Sequence, residues 1–341
     1  ISGKRVLVTG AGGSIGSELV RQCIKYNPSV LIMLDISELN LFEIDREIKS
    51  VDSHILFKPV LSDIRDYSVV DQVFNEFEPQ IVFHAAALKH VPVIEYNPFE
   101  AIKTNVIGSQ NVIDACLKEN VEKAVAIGTD KAVSPLNTYG ATKLLMEKLF
   151  VTASNYLKKE RHQTKFFALR YGNVLGSSGS VIPKFVKQIK NKEKITITDP
   201  NMTRFSITMD QALDLIFRVI KNSVGGDVHI PKLNAFKVGD VKDVLLDLMG
   251  CKNEEKRIPV RIGEKFHEIL INEHEIRNTY ENQDSDYVIY ENQLTKDHSE
   301  TIPNAKKTTL TTEYSSDKVK ITSKEELKEI IIKYNLIPNK F

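Results

Sequence analysis

A glycine-rich segment directly after the first apolar run constrains the fold more than any other feature of this sequence. Residues Arg5–Thr9 form a strand-like run, and the next seven residues are Gly10-Ala-Gly-Gly-Ser-Ile-Gly16. A helical pattern with apolar residues at four-residue spacing then opens at Ser14. Glycines between a strand and a helix permit a tight turn and let backbone N–H groups approach a pyrophosphate. The segment therefore predicts a dinucleotide-binding unit.

Short apolar strands alternate with helical patterns through the first half of the chain. The predicted strands are Arg5–Thr9, Val30–Asp35, Ile55–Val60, Ile81–Ala86, Ala124–Gly128 and Phe166–Arg170. This alternation favours a parallel sheet covered by helices on both faces. We predict an α/β fold: a doubly wound, Rossmann-like parallel sheet over 1–173, to which 205–235 returns, and a smaller C-terminal α/β substrate lobe from 174–204 and 236–341. Residues 278–316 are polar and are predicted to be rich in loops.

Composition narrows the possible partners. The 341 residues include 46 Lys+Arg and 45 Asp+Glu, a net charge of +1, which lacks the basic excess of nucleic-acid-binding proteins. No apolar run approaches the ~18–20 residues of a membrane helix. The three cysteines form no CxxC pair, so we expect neither disulfides nor zinc, and a cytoplasmic setting. The chain begins at Ile1 rather than Met, which is compatible with a longer parent protein.

An acidic residue follows the glycine segment at the distance expected for ribose binding. Asp35 ends the second strand roughly 20 residues later, where a ribose-binding acid belongs. Its carboxylate would accept hydrogen bonds from the adenosine 2′-OH and repel a 2′-phosphate. This favours NAD, while Arg46 and Lys49 nearby in sequence leave NADP open.

The glycine spacing resembles that of short-chain dehydrogenase/reductases, because the first gap is one residue wider than in GxGxxG. The resemblance implies that Asp63 and Ile64, after the third strand, hold adenine; the alternative is a helix cap. It places the cofactor contacts at Gly10, Gly12, Gly13, Ser14, Ile15, Gly16, Asp35, Asp63, Ile64, Ala85, Ala86, Lys89, Asn105, Tyr139 and Lys143.

Two residue pairs indicate acid–base chemistry. Tyr139 and Lys143 lie at i and i+4, on one face of a helix, where an ammonium lowers the pKa of a neighbouring phenol. Thr129 ends the fifth strand, and in short-chain dehydrogenases a Ser or Thr there hydrogen-bonds the reacting hydroxyl. The adjacent Asp130 and Lys131 suggest a second proton transfer, as β-elimination of water from a ketosugar requires. The alternative for this pair is a surface salt bridge.

Six further segments resemble UDP-N-acetylglucosamine 4,6-dehydratases of the extended short-chain family. They are His84–Pro92, Thr129–Ala132, Pro135–Lys143, Arg170–Asn173, Met202–Phe205 and Arg261–Lys265. The similarity covers nearly the whole chain. Many members resembling the retaining branch, and some inverting ones, carry Met where this chain has Tyr139, so the chain looks most like the inverting branch. Leu34–Glu38 departs from the Arg-containing, NADP-preferring version of that branch.

The resemblance implies a sequence of proton transfers with no net redox change. Tyr139, aided by Lys143 and Thr129, removes the C4 hydroxyl proton while hydride passes to the nicotinamide. Lys131 then removes the C5 proton, Asp130 protonates the departing C6 hydroxyl, hydride returns to C6, and C5 is reprotonated on the opposite face. The alternatives are a UDP-sugar C4 epimerase and a retaining 4,6-dehydratase.

The second lobe supplies candidates for binding UDP-N-acetylglucosamine. Arg204 and Arg261 are expected to clamp the diphosphate, since guanidinium pairs bidentately with phosphate. By resemblance Glu264 takes the uridine ribose, Asn173 a phosphate oxygen, and Lys89 the substrate or the cofactor ribose. Each of these, taken singly, is also compatible with an ordinary surface residue.

The remaining expectations concern metals and assembly. His267 and Glu268 are interpreted as residues of a helix surface, and no metal is expected. The resemblance implies a homo-oligomer, a dimer or larger, that forms through helices over Glu100–Glu119 and Thr138–Ala153.

Overall fold

A ten-stranded sheet organises the molecule in the computed structural model, which describes residues 1–51, 54–153, 163–284, 286–290 and 305–337. The strands are β1 Arg5–Thr9, β2 Val30–Asp35, β3 Leu56–Leu61, β4 Ile81–His84, β5 Lys123–Ile127, β6 Lys165–Leu169, β7 Asn173–Val174, β8 Ile195–Ile197, β9 Thr203–Ile207, β10 Asp227–Ile230, β11 Ala235–Lys237, β12 Glu255–Arg257, β13 Ile269–Ile271, β14 Thr279–Glu281, β15 Tyr287–Tyr290, β16 Lys306–Lys307 and β17 Tyr314–Ser315.

Helices connect most of the strands. They are α1 Ser14–Ile24, α2 Glu38–Lys49, α3 Tyr67–Phe77, α4 Val91–Tyr96, α5 Pro98–Ala101, α6 Gly108–Lys118, α7 Thr138–Ala153, α8 Val181–Lys190, α9 Met209–Asn222, α10 Val238–Leu248 and α11 Lys324–Lys333, with a π-helical segment at Ile102–Ile107 and 3₁₀ turns at Asp130–Ala132 and Ile276–Asn278. In the described ranges, no helix is both long and apolar enough to cross a membrane.

The large sheet reverses its strand order beside β1. Its order is β3-β2-β1-β4-β5-β6-β10, all parallel, followed by antiparallel β15, β14 and β16. Thr9, the last residue of β1, pairs with Leu34 on one side and His84 on the other. After β1 the chain continues to β2 on one side, and after β4 it continues to β5 on the other side. The diverging connections leave a crevice at the carboxyl ends of β1 and β4. The predicted α/β class with a doubly wound parallel sheet is confirmed.

Continuous apolar strands place the main core on both faces of this sheet. Val6–Val8 and Leu31–Leu34 are buried at every position, as expected for parallel strands covered by helices on both sides. Helix α1 contributes Leu19, Val20 and Cys23 to the same cluster. The sheet is therefore a rigid base for the loops at its carboxyl edge.

A second apolar cluster lies outside the sheet and is built from α8, β8, α10 and α11. Phe185, Ile197, Leu245 and Ile331 are among its buried members. The division of the chain into two domains stays a prediction, and the strand pairing differs from it in one respect. Residues 236–341 were assigned to the smaller lobe, whereas β14, β15 and β16 extend the large sheet.

Candidate active site

The glycine segment forms a tight turn between β1 and α1. Gly10 has φ +69, and a Cβ atom there would lie 2.7 Å from the Ala86 backbone. Helix α1 begins at Ser14, and its N-cap residue Gly13 makes no side-chain capping hydrogen bond. The first N–H groups of α1 are therefore open to an anion, as a pyrophosphate requires. Gly12 belongs to the same turn, whereas Ile15 and Gly16 lie in the first turn of α1.

Asp35 lies at the end of β2 with its carboxylate fixed on both oxygens. The Gly12 N–H donates to Oδ2 at 2.8 Å, and the Ser37 N–H donates to Oδ1 at 2.8 Å. These bonds tie the predicted ribose acid directly to the glycine turn. Arg46 and Lys49 lie at least eight residues along α2, roughly 12 Å of helix rise from its start.

The loops after β3 and β4 complete this side of the crevice. Asp63 accepts hydrogen bonds from the Arg65 N–H (2.9 Å) and Nε (2.6 Å). Burial alone would raise the pKa of Asp63, but these bonds hold it below its usual value. Helix α3 is capped by Asp66 and not by Asp63, so the helix-cap alternative does not describe Asp63. Ile64 is buried beside it, and its carbonyl accepts from Asn111 at 2.9 Å.

Asn105 lies in the π-helical segment and is fully buried. Its amide donates to the Leu88 carbonyl and to Thr142 Oγ1, each at 3.0 Å, and its Oδ1 accepts from the Leu88 N–H at 2.8 Å. The side chain therefore fixes the loop after β4 against α7. The start of that loop, Ala85 and Ala86, is held by hydrogen bonds to Thr9.

Three predicted catalytic residues lie on the turn after β5. Thr129 caps the short 3₁₀ turn and donates to Asp130 Oδ1 at 2.8 Å. Lys131 Nζ lies 3.0 Å from the same oxygen and 3.4 Å from Asn173 Oδ1. Within the described structure, Asp130 Oδ2 is buried without a hydrogen-bond partner. The surface-salt-bridge alternative does not describe this pair, because Asp130 is wholly buried.

Tyr139 and Lys143 share one face of α7 but face different surroundings. Burial raises the pKa of Tyr139, an effect that Lys131 and a hydrogen bond with Thr129 partly oppose. Burial lowers the pKa of Lys143 to about 7. Its amine donates to the Ile127 carbonyl at 2.7 Å and lies 3.0 Å from Met146 Sδ. The cation that acts on the phenol in this structure is therefore Lys131.

A cavity of about 300 Å³ joins this turn to the second apolar cluster. All five residues predicted to bind substrate line it: Lys89, Asn173, Arg204, Arg261 and Glu264. Its lining within the described residues has six Lys or Arg side chains, three of them Lys131, Lys184 and Lys265, against two glutamates. A cavity with this charge balance suits an anionic ligand such as a diphosphate.

Arg204 is held in place by backbone carbonyls. Its Nη1 donates to Thr203 O at 2.8 Å and to Phe266 O at 3.1 Å, while Nη2 lies 3.4 Å from Glu264 Oε1. Lys89 donates to Ser178 O at 2.9 Å across the cavity mouth. The fork of Arg204 is thus pre-oriented, which lowers the entropy lost on binding.

The family follows from comparison with known proteins. Residues 6–290 match the model of the polysaccharide biosynthesis protein family. The chain belongs to this family. It is 40% identical over 282 residues to a UDP-N-acetylglucosamine 4,6-dehydratase (inverting) of Campylobacter jejuni, covering 82% of this chain and 81% of that protein. It is 34% identical to a UDP-glucose 4-epimerase of Rickettsia massiliae, covering 96% and 95% of the two chains.

Among solved structures, Pen from Bacillus thuringiensis is similar with a TM-score of 0.88 and 35% identity, covering 98% of both chains. The predicted resemblance to UDP-N-acetylglucosamine 4,6-dehydratases is confirmed by these relatives, and with it the prediction that this member of the family is an enzyme.

Glu268 is a site residue that the sequence interpretation missed. It was assigned to a helix surface, but 264–268 form no helix, and Glu268 is 4% exposed on the cavity wall. Its only sequence signal is its position three residues after the Arg261–Lys265 segment. His267 instead bonds Thr203 Oγ1 through Nδ1 at 2.7 Å.

Proposed function

We propose that the protein is a UDP-N-acetylglucosamine 4,6-dehydratase. The observation that carries this proposal is the pair on the turn after β5. Lys131 lines the cavity and contacts buried Asp130, beside Tyr139. A C4 epimerase needs only the chemistry of Tyr139 and Lys143, whereas elimination of water needs a further acid and a further base. The Campylobacter jejuni relative named for this activity supports the assignment.

The cofactor proposed is NAD. The glycine turn, whose closeness to Ala86 leaves no room for a Cβ atom, and the uncapped start of α1 fit a pyrophosphate. The Asp35 carboxylate fits free ribose hydroxyls and disfavours a 2′-phosphate. Arg46 packs over Phe42 and Lys49 pairs with Asp45, both on the half of α2 remote from Asp35. The glycine turn, the start of α1 and Asp35 would hold NAD, which when bound would supply a reversible hydride acceptor for C4 oxidation and C6 reduction.

The chain's own residues carry the protons. Tyr139 takes the C4 hydroxyl proton in its phenolate form, which Lys131 and the hydrogen bond with Thr129 favour, and Thr129 orients that hydroxyl. The resulting 4-keto group acidifies C5–H, which Lys131 removes as Asp130 gives a proton to the departing C6 hydroxyl. One proton is taken up by Lys131 and one is released by Asp130, so water leaves and the pair's total charge is unchanged.

The resting charge of this pair explains why two residues are needed. Burial would lower the pKa of Lys131, but the carboxylates of Asp130 and Glu268 outweigh it and raise that pKa well above its usual value. The resting proton therefore lies on Lys131. Its transfer to Asp130 across the 3.0 Å contact creates a neutral amine and a neutral acid, the forms that the elimination uses.

The product proposed is a UDP-2-acetamido-2,6-dideoxy-hexos-4-ulose, inverted at C5, for a surface glycan of the pseudaminic acid type. The inverting outcome is supported by the name of the 40% identical relative. A UDP-sugar C4 epimerase is the second candidate, because relatives named UDP-glucose 4-epimerase are 34% identical over nearly the whole chain. A retaining 4,6-dehydratase differs only in the face on which C5 is reprotonated.

Incubation with UDP-N-acetylglucosamine and NAD in D₂O, followed by proton NMR, tests the proposal. We expect a new C6 methyl signal, a 4-keto product and deuterium at C5, with the ring couplings of early product reporting inversion or retention. Lys131→Met should abolish the methyl signal and leave NAD binding intact, because Lys131 lies on the substrate side of the turn. If UDP-N-acetylgalactosamine formed and no methyl signal appeared, the reaction would be C4 epimerisation and not dehydration. Full turnover by Lys131→Met would refute Lys131 as the base that removes the C5 proton.

A further inference from the structure

Glu268 lies between the two cations that the proposed reaction uses. Its Oε1 is 3.7 Å from Lys131 Nζ and 3.7 Å from Arg204 Nε. Its Oε2 is buried and has no hydrogen-bond partner among the described residues. The backbone is fixed by exchanged bonds with Ser316, each 2.9 Å long. The backbone of Glu268 is thus fixed, and its carboxylate leaves one oxygen without a hydrogen bond at the cavity wall.

Burying a carboxylate that has one oxygen without a hydrogen bond lowers the stability of the folded protein. Desolvation of an ionised acid is offset only by close pairing and hydrogen bonds. At 3.7 Å, Glu268 is too far from either cation for a hydrogen bond, so it acts on them through charge. A residue that served stability alone would be expected to approach one cation closely. The Glu268 carboxylate instead lies equally far from the Lys131 amine and the Arg204 guanidinium, and attracts both.

We propose that Glu268 is a positioning residue for the elimination step, holding the Lys131 amine on the cavity side of Asp130 and Asn173. The inference rests on the proposed function, because it assigns Lys131 the C5 proton. Without Glu268, the flexible lysine stem would be free to follow Asp130 alone toward the protein interior. The distance between the amine and C5 would then no longer be fixed.

The charges around Lys131 also predict a pH effect. Asp130 faces it from its own turn, Tyr139 from α7 and Glu268 from the segment before β13, while Lys265 is the nearby cation. Arg204 faces it only across Glu268. Glu268→Gln removes one of two carboxylates that raise the pKa of Lys131, so Lys131 loses its proton at lower pH.

The test compares wild type with Glu268→Gln in two readouts. Build-up of reduced NAD reports the C4 oxidation, in which Tyr139 takes the hydroxyl proton, and deuterium uptake at C5 reports the action of Lys131. We expect Glu268→Gln to slow C5 exchange about tenfold to a hundredfold, because displacement of a reacting group by about 1 Å lowers the rate by up to about a hundredfold. C4 oxidation should keep its rate, and KM should change by less than about threefold. The acidic limb, by which we mean the fall of the C5 exchange rate toward low pH, should move to lower pH.

Three further substitutions separate the position of the carboxylate from its charge. Glu264→Gln removes the other cavity carboxylate, which contacts Arg204 at 3.4 Å, and should raise KM without moving the pH limb. Glu273→Gln, at an exposed position, should match wild type in all readouts. Glu268→Asp keeps the negative charge but shortens the side chain by one methylene. C5 exchange should therefore slow, while the acidic limb of its pH profile stays at the same pH.

Three outcomes decide the inference. A wild-type rate of C5 exchange and an unmoved limb in Glu268→Gln would overturn it. Equal losses of C4 oxidation and C5 exchange would assign Glu268 a merely structural role, and would also overturn it. If Glu268→Gln does not fold, Glu268→Asp with a wild-type exchange rate would refute it equally. Absence of the methyl product with wild-type protein would instead refute the proposed function itself.

Discussion

Lys143 is buried on α7, and its amine has little compensation for the loss of water. It bonds one carbonyl, that of Ile127, and lies beside the sulfur of Met146, while Glu147 one turn away favours its charge. Burial outweighs that attraction and lowers the pKa of Lys143 from 10.5 to about 7. The unfolded chain therefore binds more protons than the folded chain between these two values. A residue proposed to take part in cofactor and substrate chemistry therefore lowers the stability of the cofactor-free protein.

Lys143→Met is expected to raise the free energy of unfolding of the cofactor-free protein. The variant is also expected to be inactive when NAD and substrate are supplied. The penalty is fully present below pH 7, where the folded protein must protonate a buried amine, and it fades as pH rises toward 10.5. The free energy of unfolding of wild type should therefore gain on that of the variant by up to about 1.4 kcal/mol per pH unit in this window. Urea titrations of both proteins at pH 6, 8 and 9.5 measure it. A difference that does not change with pH would contradict the buried-amine account.

Residue identity was the easiest level to predict, and residue environment the hardest. Sequence placed Asp130, Lys131, Tyr139 and Lys143 in one strip. The structure brings the first three together, whereas the Lys143 amine lies against the Ile127 carbonyl. Sequence could not show that Lys143 bonds Ile127 while Lys131 acts on the phenol, since both depend on side-chain direction. Glu268 was missed because burial in an irregular segment leaves no periodic signal.

At the scale of elements, the turn after β5 packs against the start of α7 at a single glycine. A Cβ atom on Gly140 would lie 2.2 Å from the Lys131 carbonyl oxygen. Alanine is the better helix former by about 1 kcal/mol, but contact at this distance forces the turn or the helix to move. The glycine is therefore required by the closeness of two elements that both carry reactive side chains.

Gly140→Ala should reduce turnover by at least about tenfold, because the displaced turn carries Lys131 and Asp130. NAD binding, which depends on β1 and α1, should persist. Ala141→Gly, at the exposed neighbouring position, is the control: it should cost about 1 kcal/mol of stability and leave turnover intact. Product NMR and thermal unfolding measure both variants. Wild-type turnover in Gly140→Ala would show that the contact is not needed.

Elements with a strong period or cap signal were predicted closely. The strands β1 and β2 match their predicted bounds, and Ser323 and Glu326 form the predicted capping box of α11. Part of the range 278–316, which was predicted to be rich in loops, lies outside the described residues (285 and 291–304). In the described part the prediction was wrong for four short strands, of which β14 and β15 form a hairpin on the large sheet. Every residue of Tyr287–Tyr290 is buried there, but a four-residue run among polar neighbours is too short to distinguish from a loop by pattern.

At the scale of the whole molecule, the proposed NAD and UDP sites are built on different parts of the fold. The glycine turn and Asp35 lie at the carboxyl ends of β1 and β2, whereas Arg261 and Phe185 line the cavity beside the second apolar cluster. A ligand that binds only the folded protein stabilises it by about 2.7 kcal/mol at one hundred times its Kd. NAD and UDP should therefore stabilise the protein independently through separate residues.

This arrangement predicts a double dissociation in thermal unfolding. Asp35→Asn should lose much of the stabilisation by NAD and keep that by UDP, because the Asp35 carboxylate is hydrogen-bonded to the glycine turn and to Ser37. Arg261→Gln should do the reverse, since it removes a cation of the diphosphate cavity. Wild type should also be stabilised more by NAD than by NADP, because Asp35 repels a 2′-phosphate. If each substitution removed both effects equally, the sites would share one support. Equal stabilisation of wild type by NAD and NADP would refute Asp35 as the selecting group, since no other acid ends β2.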